Sequence, residues 1–171
     1  GVLMISGSLR LTEIVEQQQT MWNVVRQPLG FLIFLVAALA ETNRIPFDLP
    51  EAEPELVGGY HLEYSSMKFA LFFLGEFCAA IVSSCLIVTL FFGGWTFPYI
   101  TNLQVHPFTL GIIQMVVFFI KAVIFVFIFI WIRWTIPRFR YDQLMRLGWK
   151  VCLPLALANI LVTGLVMILR G

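Results

Sequence analysis

The sequence predicts an all-α protein: a polytopic transmembrane bundle of about four membrane helices, with the tail of a preceding helix at its start and an irregular acidic loop on its inner side. Three observations carry this reading. Of 171 residues, 60% are hydrophobic and 12% charged, with a mean hydropathy of +0.90, more apolar surface than a soluble globule of this size can hide. The apolar residues are gathered into runs near the ~20 residues that a helix needs to cross a hydrocarbon core of about 30 Å. Lipid offers no partner to backbone N–H and C=O groups, so such runs must satisfy their own hydrogen bonds as helices.

Taken in order, residues 1–5 read as the tail of a helix, with no basic n-region or cleavage-like site of a signal peptide. The chain opens as if within an apolar segment and is expected to be one half of a longer membrane protein; the resemblance described below implies the second half. A first span covers residues 22–40, where Pro28 and Gly30 interrupt the apolar run and Glu41 closes it. A second, 68–92, carries one acid, Glu76; a third, 110–131, carries Lys121; the last, 151–169, has no charge. Between residues 133 and 150 stand Arg133, Arg138, Arg140, Arg146 and Lys150 against Asp142, whereas 93–109 holds no Lys or Arg. The positive-inside rule puts the basic loop inside, and counting spans puts 41–67 on that same side. Trp131, Trp134 and Trp149 are interfacial anchors.

Several function classes are excluded. A net charge of +1 gives no basic footprint for nucleic acid. Cys78, Cys85 and Cys152 lie in apolar runs without metal-ligand spacing and read as small packing residues, so no metal site is expected. No Walker loop, GxGxxG, GxSxG or HExxH occurs, and neither His61 nor His106 lies within a span where it could ligate haem.

Six of the ten acidic residues, Glu41, Asp48, Glu51, Glu53, Glu55 and Glu63, fall within one inner segment in which Arg44 is the one base. They alternate with Ile45, Phe47, Leu49, Leu56 and Val57 instead of small polar residues, and Pro46, Pro50 and Pro54 prevent a long regular helix. Glu76 carries the acidic series into the next span. Ionisable groups at lipid depth are expensive and mark function or a paired structural role, so Glu76 and Lys121 are candidates for proton exchange, with an ion pair between two helices as the bland alternative. Arg44 is expected to be the counter-ion of the loop.

The stretch Glu41-Thr42-Asn43-Arg44-Ile45-Pro46-Phe47-Asp48-Leu49-Pro50-Glu51-Ala52-Glu53-Pro54-Glu55-Leu56-Val57-Gly58-Gly59-Tyr60-His61-Leu62-Glu63-Tyr64 closely resembles the signature of one family, the membrane subunit of respiratory complex I at the junction of its two arms: the bacterial H subunit, or subunit 1 in mitochondria. Ser8-Leu9-Arg10-Leu11-Thr12-Glu13, Pro137-Arg138-Phe139-Arg140-Tyr141-Asp142-Gln143-Leu144-Met145 and Gly148-Trp149-Lys150 agree with it. The resemblance implies part of a proton-translocating NADH:quinone oxidoreductase, not catalytic alone, that walls the quinone chamber and couples quinone reduction to proton translocation. It implies quinone (ubiquinone) as substrate, and no FMN or iron-sulfur cluster on this chain. Glu41, Asp48, Glu51, Glu53, Glu55, Glu63 and Glu76 would be coupling residues, with Lys121 added from its depth; Arg44, Phe47, Arg138, Arg140 and Asp142 would belong to the loops of the chamber. No role is carried onto His61.

The implied partners are a missing first half, the peripheral-arm quinone-site subunits, small membrane subunits and lipid, in a mitochondrial inner or bacterial plasma membrane. Alternatives are the related membrane component of a membrane-bound hydrogenase or of a ferredoxin:plastoquinone reductase, which share the Gly93-Gly94-Trp95-Thr96-Phe97-Pro98 stretch, or a structural half-subunit scaffold. A secondary transporter would need inverted repeats, which the sequence lacks.

Overall fold

A computed structural model describes residues 1–42, 66–96, 106–137 and 141–170, and the described residues are helical with no strand among them. Short helices α1 (Val2–Ser6), α2 (Leu11–Gln17) and α3 (Asn23–Arg26) lead into α4 (Pro28–Glu41); long helices α5 (Ser66–Phe91) and α6 (Pro107–Thr135) follow, then α7 (Tyr141–Arg146), a π-helical stretch (Leu147–Cys152) and α8 (Leu153–Arg170). Three stretches are long and apolar enough to cross a membrane: Leu74–Phe91, Phe108–Thr135 and Asp142–Leu169.

Local chemistry accounts for the boundaries. The apolar run expected over 22–40 divides at Gln27, whose backbone (φ −139, ψ 68) lies outside the helical region, which the proline that follows it disfavours. Pro28 then opens α4, where its missing N–H costs nothing. At 14 residues α4 is about 21 Å long, short of the roughly 30 Å core. His106, also outside the helical region, precedes Pro107, which opens α6 in the same way. The basic segment expected as a loop over 133–150 is largely helical: Arg133 lies in the last turn of α6, and helix resumes at Tyr141. Pro154 cannot donate to the carbonyl four residues earlier and crowds it, and the widened π turn lies directly before it.

The helices assemble by shape and hydrogen bonding, because lipid tails are as apolar as the residues they would exclude. α5 and α6 form the most extensive pair, α4 packs against both α5 and α8, and α2 and α3 pack on the C-terminal part of α5. The buried centre comprises Ala38 and Leu39 of α4, Ile87 and Val88 of α5, and Phe125 and Phe129 of α6. Phe31 closes it edge-on, with ring centroids 5.4 Å from Phe91, 5.6 Å from Phe92 and 6.4 Å from Phe125. The outward faces of α6 and α8, including Met115, Phe119, Leu161 and Ile168, are exposed and apolar, as a lipid-facing surface requires.

Candidate functional site

The C-terminal end of α5 is where most of the internal polar chemistry among the described residues converges. Lys121 stands 14 residues into α6, about 21 Å from its start, so this end of α5 lies beside the middle of α6. Non-helical backbone at such depth is tolerated only when fully hydrogen-bonded, and a helix ends with four carbonyls that lack intrahelical partners. Specific side chains answer these groups.

The Gln18 amide inserts into the helical ladder. Its Nε2 donates to Thr89 O at 3.0 Å and its Oε1 accepts from Gly93 N at 3.0 Å, replacing the bond those two backbone groups would otherwise make. The same Oε1 accepts from Asn23 N at 3.3 Å, and Asn23 Nδ2 donates to Leu90 O at 3.0 Å. Gly93 and Gly94 then turn the chain with φ of 70 and 53, a left-handed geometry that other residues adopt at a cost. A Cβ on Gly94 would lie 2.8 Å from Val15 Cγ2, so close packing of α2 also demands glycine there.

That turn aims three carbonyls at one point. Lys121 Nζ donates to Phe92 O at 2.8 Å, Gly94 O at 3.1 Å and Thr96 O at 2.8 Å, and lies 5.4 Å from the centroid of the Trp22 ring, within cation–π range. The ammonium also faces the negative end of the α5 dipole. Glu76 lies far from it, ten residues into the 26-residue α5: it precedes Phe92 by 16 residues, about 24 Å along the axis. The two lone charges therefore do not form the interhelical ion pair that the sequence would allow.

Glu76 is half-buried and lies one turn before Ala80 on the face that continues through Ser84, Ile87, Val88 and Phe91, all of which are buried. Its carboxylate is thus on the core-facing line of α5, in the half nearer in sequence to the acidic segment. Ser84, fully buried, is midway between Glu76 and Phe92 and donates to Ala80 O at 2.8 Å. Glu41 is exposed in the last turn of α4, followed by buried Thr42, which donates to Leu39 O at 3.1 Å. Asp142 is exposed in the first turn of α7, where a carboxylate suits the helix dipole.

The structure therefore gives positions for Glu41, Glu76, Lys121 and Asp142. Arg44, Phe47, Asp48, Glu51, Glu53, Glu55, Glu63, Arg138 and Arg140 lie outside the described residues, as does His61. Sequence reasoning missed Gln18, Asn23, Ser84 and Thr89. The available signal was a polar residue at helical spacing within a buried face, Ser84 following Glu76 and Ala80 at four-residue steps.

With this geometry in view, residues 1–164 match the family model described as NADH dehydrogenase. Curated relatives named as the H subunit of NADH-quinone oxidoreductase include one from Cytophaga hutchinsonii, 52% identical over 96% of this chain and 48% of its own length. Another, from Geobacter metallireducens, is 54% identical over 98% of this chain and 47% of its own. The relative of that name from Salinibacter ruber is 51% identical, covering 100% of this chain and 53% of its own. The chain spans about half the length of the curated relatives it matches. It is an all-α membrane-helix protein of the NADH dehydrogenase family.

Proposed function

We propose that this chain forms part of the membrane subunit that walls the quinone chamber of a proton-translocating NADH:quinone oxidoreductase. The observation that carries the reading is Glu76, a half-buried carboxylate on the core-facing line of a membrane-length helix, in a chain about half identical to relatives named for NADH-quinone oxidoreductase. The chain is not catalytic alone. Electrons come from peripheral-arm subunits, and neither FMN nor an iron-sulfur cluster is held here; quinone is the substrate. The remaining partners are the segment matching the other half of the relatives, neighbouring membrane subunits and lipid, with no nucleic acid. The location is multi-pass, in a bacterial plasma or mitochondrial inner membrane.

The physical mechanism follows from charge in a low-dielectric site. A quinone that takes up two electrons must gain two protons or leave negative charge in the chamber, which is costly. Carboxylates nearby respond to that charge by binding protons more tightly. The acids Glu41, Asp48, Glu51, Glu53, Glu55 and Glu63, with Arg44 and Phe47 among them, form the intake row, and Glu76 passes the proton into the bundle. Arg138, Arg140 and Asp142 would contribute to the chamber from the second inner segment. Lys121, fixed by carbonyls at the far end of α5, sets a positive potential at the far end of that row.

The test is Glu76→Gln in the assembled complex, reconstituted in vesicles. Replacement by an amide of the same size should abolish most proton translocation together with quinone turnover while the complex still assembles, and Glu76→Asp should retain more. Normal pumping by Glu76→Gln would remove the relay role.

A further inference from the structure

The turn that receives Lys121 is held in shape by bonds in which Lys121 takes no part. Gly94 N donates to Val88 O at 2.9 Å, and Thr96 N donates to Gly93 O at 2.9 Å, a carbonyl that also accepts from Thr96 Oγ1 at 2.7 Å. Gln18 Oε1 holds Gly93 N from the side of α2, and Thr96 is 4% exposed. The alternate carbonyls, those of Phe92, Gly94 and Thr96, are the ones that converge on the ammonium. They form a cage built by the backbone and by Gln18, not three groups gathered by the lysine.

The centre of that cage calls for a single positive charge. An uncharged amine has two hydrogens and can answer two of the three oxygens, whereas an ammonium has three. The Trp22 ring, 5.4 Å away, favours a cation over a neutral group. Oxygens 2.8, 3.1 and 2.8 Å from the centre stand wider than the roughly 2.3–2.6 Å of a Ca²⁺ shell or the roughly 2.0–2.1 Å of Mg²⁺. Backbone carbonyls are also the donors that replace the hydration shell of potassium in selective pores. The cage therefore suits a primary ammonium or an ion of potassium size.

We propose that this turn is a monovalent-cation site which the chain fills with its own side chain, so that Lys121 serves as a fixed charge and hands no proton on. The turn requires the charge at that point, and the covalent stem keeps it there. An ammonium that gave up a proton would leave one of the three carbonyls unanswered, at a cost that the surroundings do not offset. The inference deepens the part given to Lys121 in the proposed coupling mechanism. It rests on that reading for its effect on quinone turnover, whereas the cation site rests on the geometry alone.

The experiment is Lys121→Ala in the assembled complex, purified in detergent with bulky N-methylglucamine as the buffer cation. The substitution removes the stem beyond Cβ, a gap that propylammonium matches atom for atom. Without a small cation the thermal midpoint should fall by several degrees and quinone turnover should drop several-fold. Propylammonium or potassium should restore most of both, and because potassium carries no proton, its effect on turnover isolates the charge. Lithium is too small to span the three oxygens and tetramethylammonium has no N–H, so neither should act. Lys121→Met, whose stem fills the gap, should not respond to propylammonium. A midpoint that no cation raises in Lys121→Ala overturns the site. Turnover restored by propylammonium and not by potassium overturns the fixed charge, since the missing group would then be a proton carrier. If the midpoint falls and recovers as described while turnover never departs from the parent value, the cation site stands and the coupling role of Lys121 is what fails. If Lys121→Ala does not accumulate, its accumulation in medium supplemented with propylamine becomes the readout: restored accumulation supports the site, and none overturns it.

Discussion

Glu76 and Lys121 look equivalent in the sequence, each an ionisable residue in a membrane-length apolar run, and α5 places them in different surroundings. At the end near Phe91, three carbonyls hold the ammonium, Gln18 bridges the broken ladder, and Asn23 takes the next carbonyl. Nearer the middle of α5, Glu76 is half-buried in the half of the helix that leads back along the chain to the acidic segment. The ammonium is held by fixed backbone dipoles, whereas Glu76 is a half-buried carboxylate inside the apolar span of the helix. The difference is between a group that pins a glycine turn and one proposed to carry a proton.

The sharpest way to break this contrast is Lys121→Met. Removing the ammonium leaves the carbonyls of Phe92, Gly94 and Thr96 without that donor. At about 1 kcal/mol each for partly buried groups, the loss is roughly 3 kcal/mol. The thermal midpoint of the detergent-solubilised protein should fall by several degrees in Lys121→Met. It should stay near the parent value in Glu76→Gln, which keeps the size and the hydrogen-bonding capacity of the side chain. If Glu76→Gln destabilises as much as Lys121→Met, the two positions are alike and the contrast fails.

A somewhat smaller effect is expected from Gln18→Leu. Gln18 is 1% exposed, and its loss leaves Thr89 O without its side-chain donor and Gly93 N and Asn23 N without their acceptor. These are neutral groups and some gain alternative partners on relaxation, so the expected cost is about 2 kcal/mol. Because the bond to Gly93 holds the turn that presents carbonyls to Lys121, Gln18→Leu and Lys121→Met should be non-additive by at least ~0.5 kcal/mol in a double-mutant cycle. Simple additivity would mean that the turn is held without Gln18.

The long helices were legible because apolar run length and proline position depend on residue type alone. α5, α6 and the last helix follow the expected runs, with helix extending beyond them into flanking polar residues that still favour the conformation. The break before Pro28 was signalled by the proline itself. The partners of Lys121 were not legible, because they are backbone carbonyls presented by a glycine turn, and no side chain in the sequence names them. The same holds for Gln18, 75 residues from the Gly93 amide that it accepts from. A side chain that replaces a main-chain bond has no local pattern. The place of Glu76 within a membrane-length helix was legible from its depth in the apolar run, whereas its separation from Lys121 required knowing that α5 ends beside the middle of α6.

The smallest expected effect tests whether an ion pair that is plain to see also stabilises the fold. Arg10 and Glu13 form a salt bridge at 3.4 Å, yet their side chains are 81% and 42% exposed. Solvent screens such a pair, and holding two mobile side chains together costs entropy that offsets most of the attraction. Arg10→Ala should therefore change stability by less than about 0.5 kcal/mol, and the change should shrink further when ionic strength is raised. Lys121 has no such exposure to salt, since its partners are dipoles within the bundle, so the penalty for Lys121→Met should persist in the same high-salt buffer. A large, salt-insensitive loss in Arg10→Ala would instead place the α1–α2 connection among the elements that hold the end of α5, and the boundary between the two regions would have to move to include it.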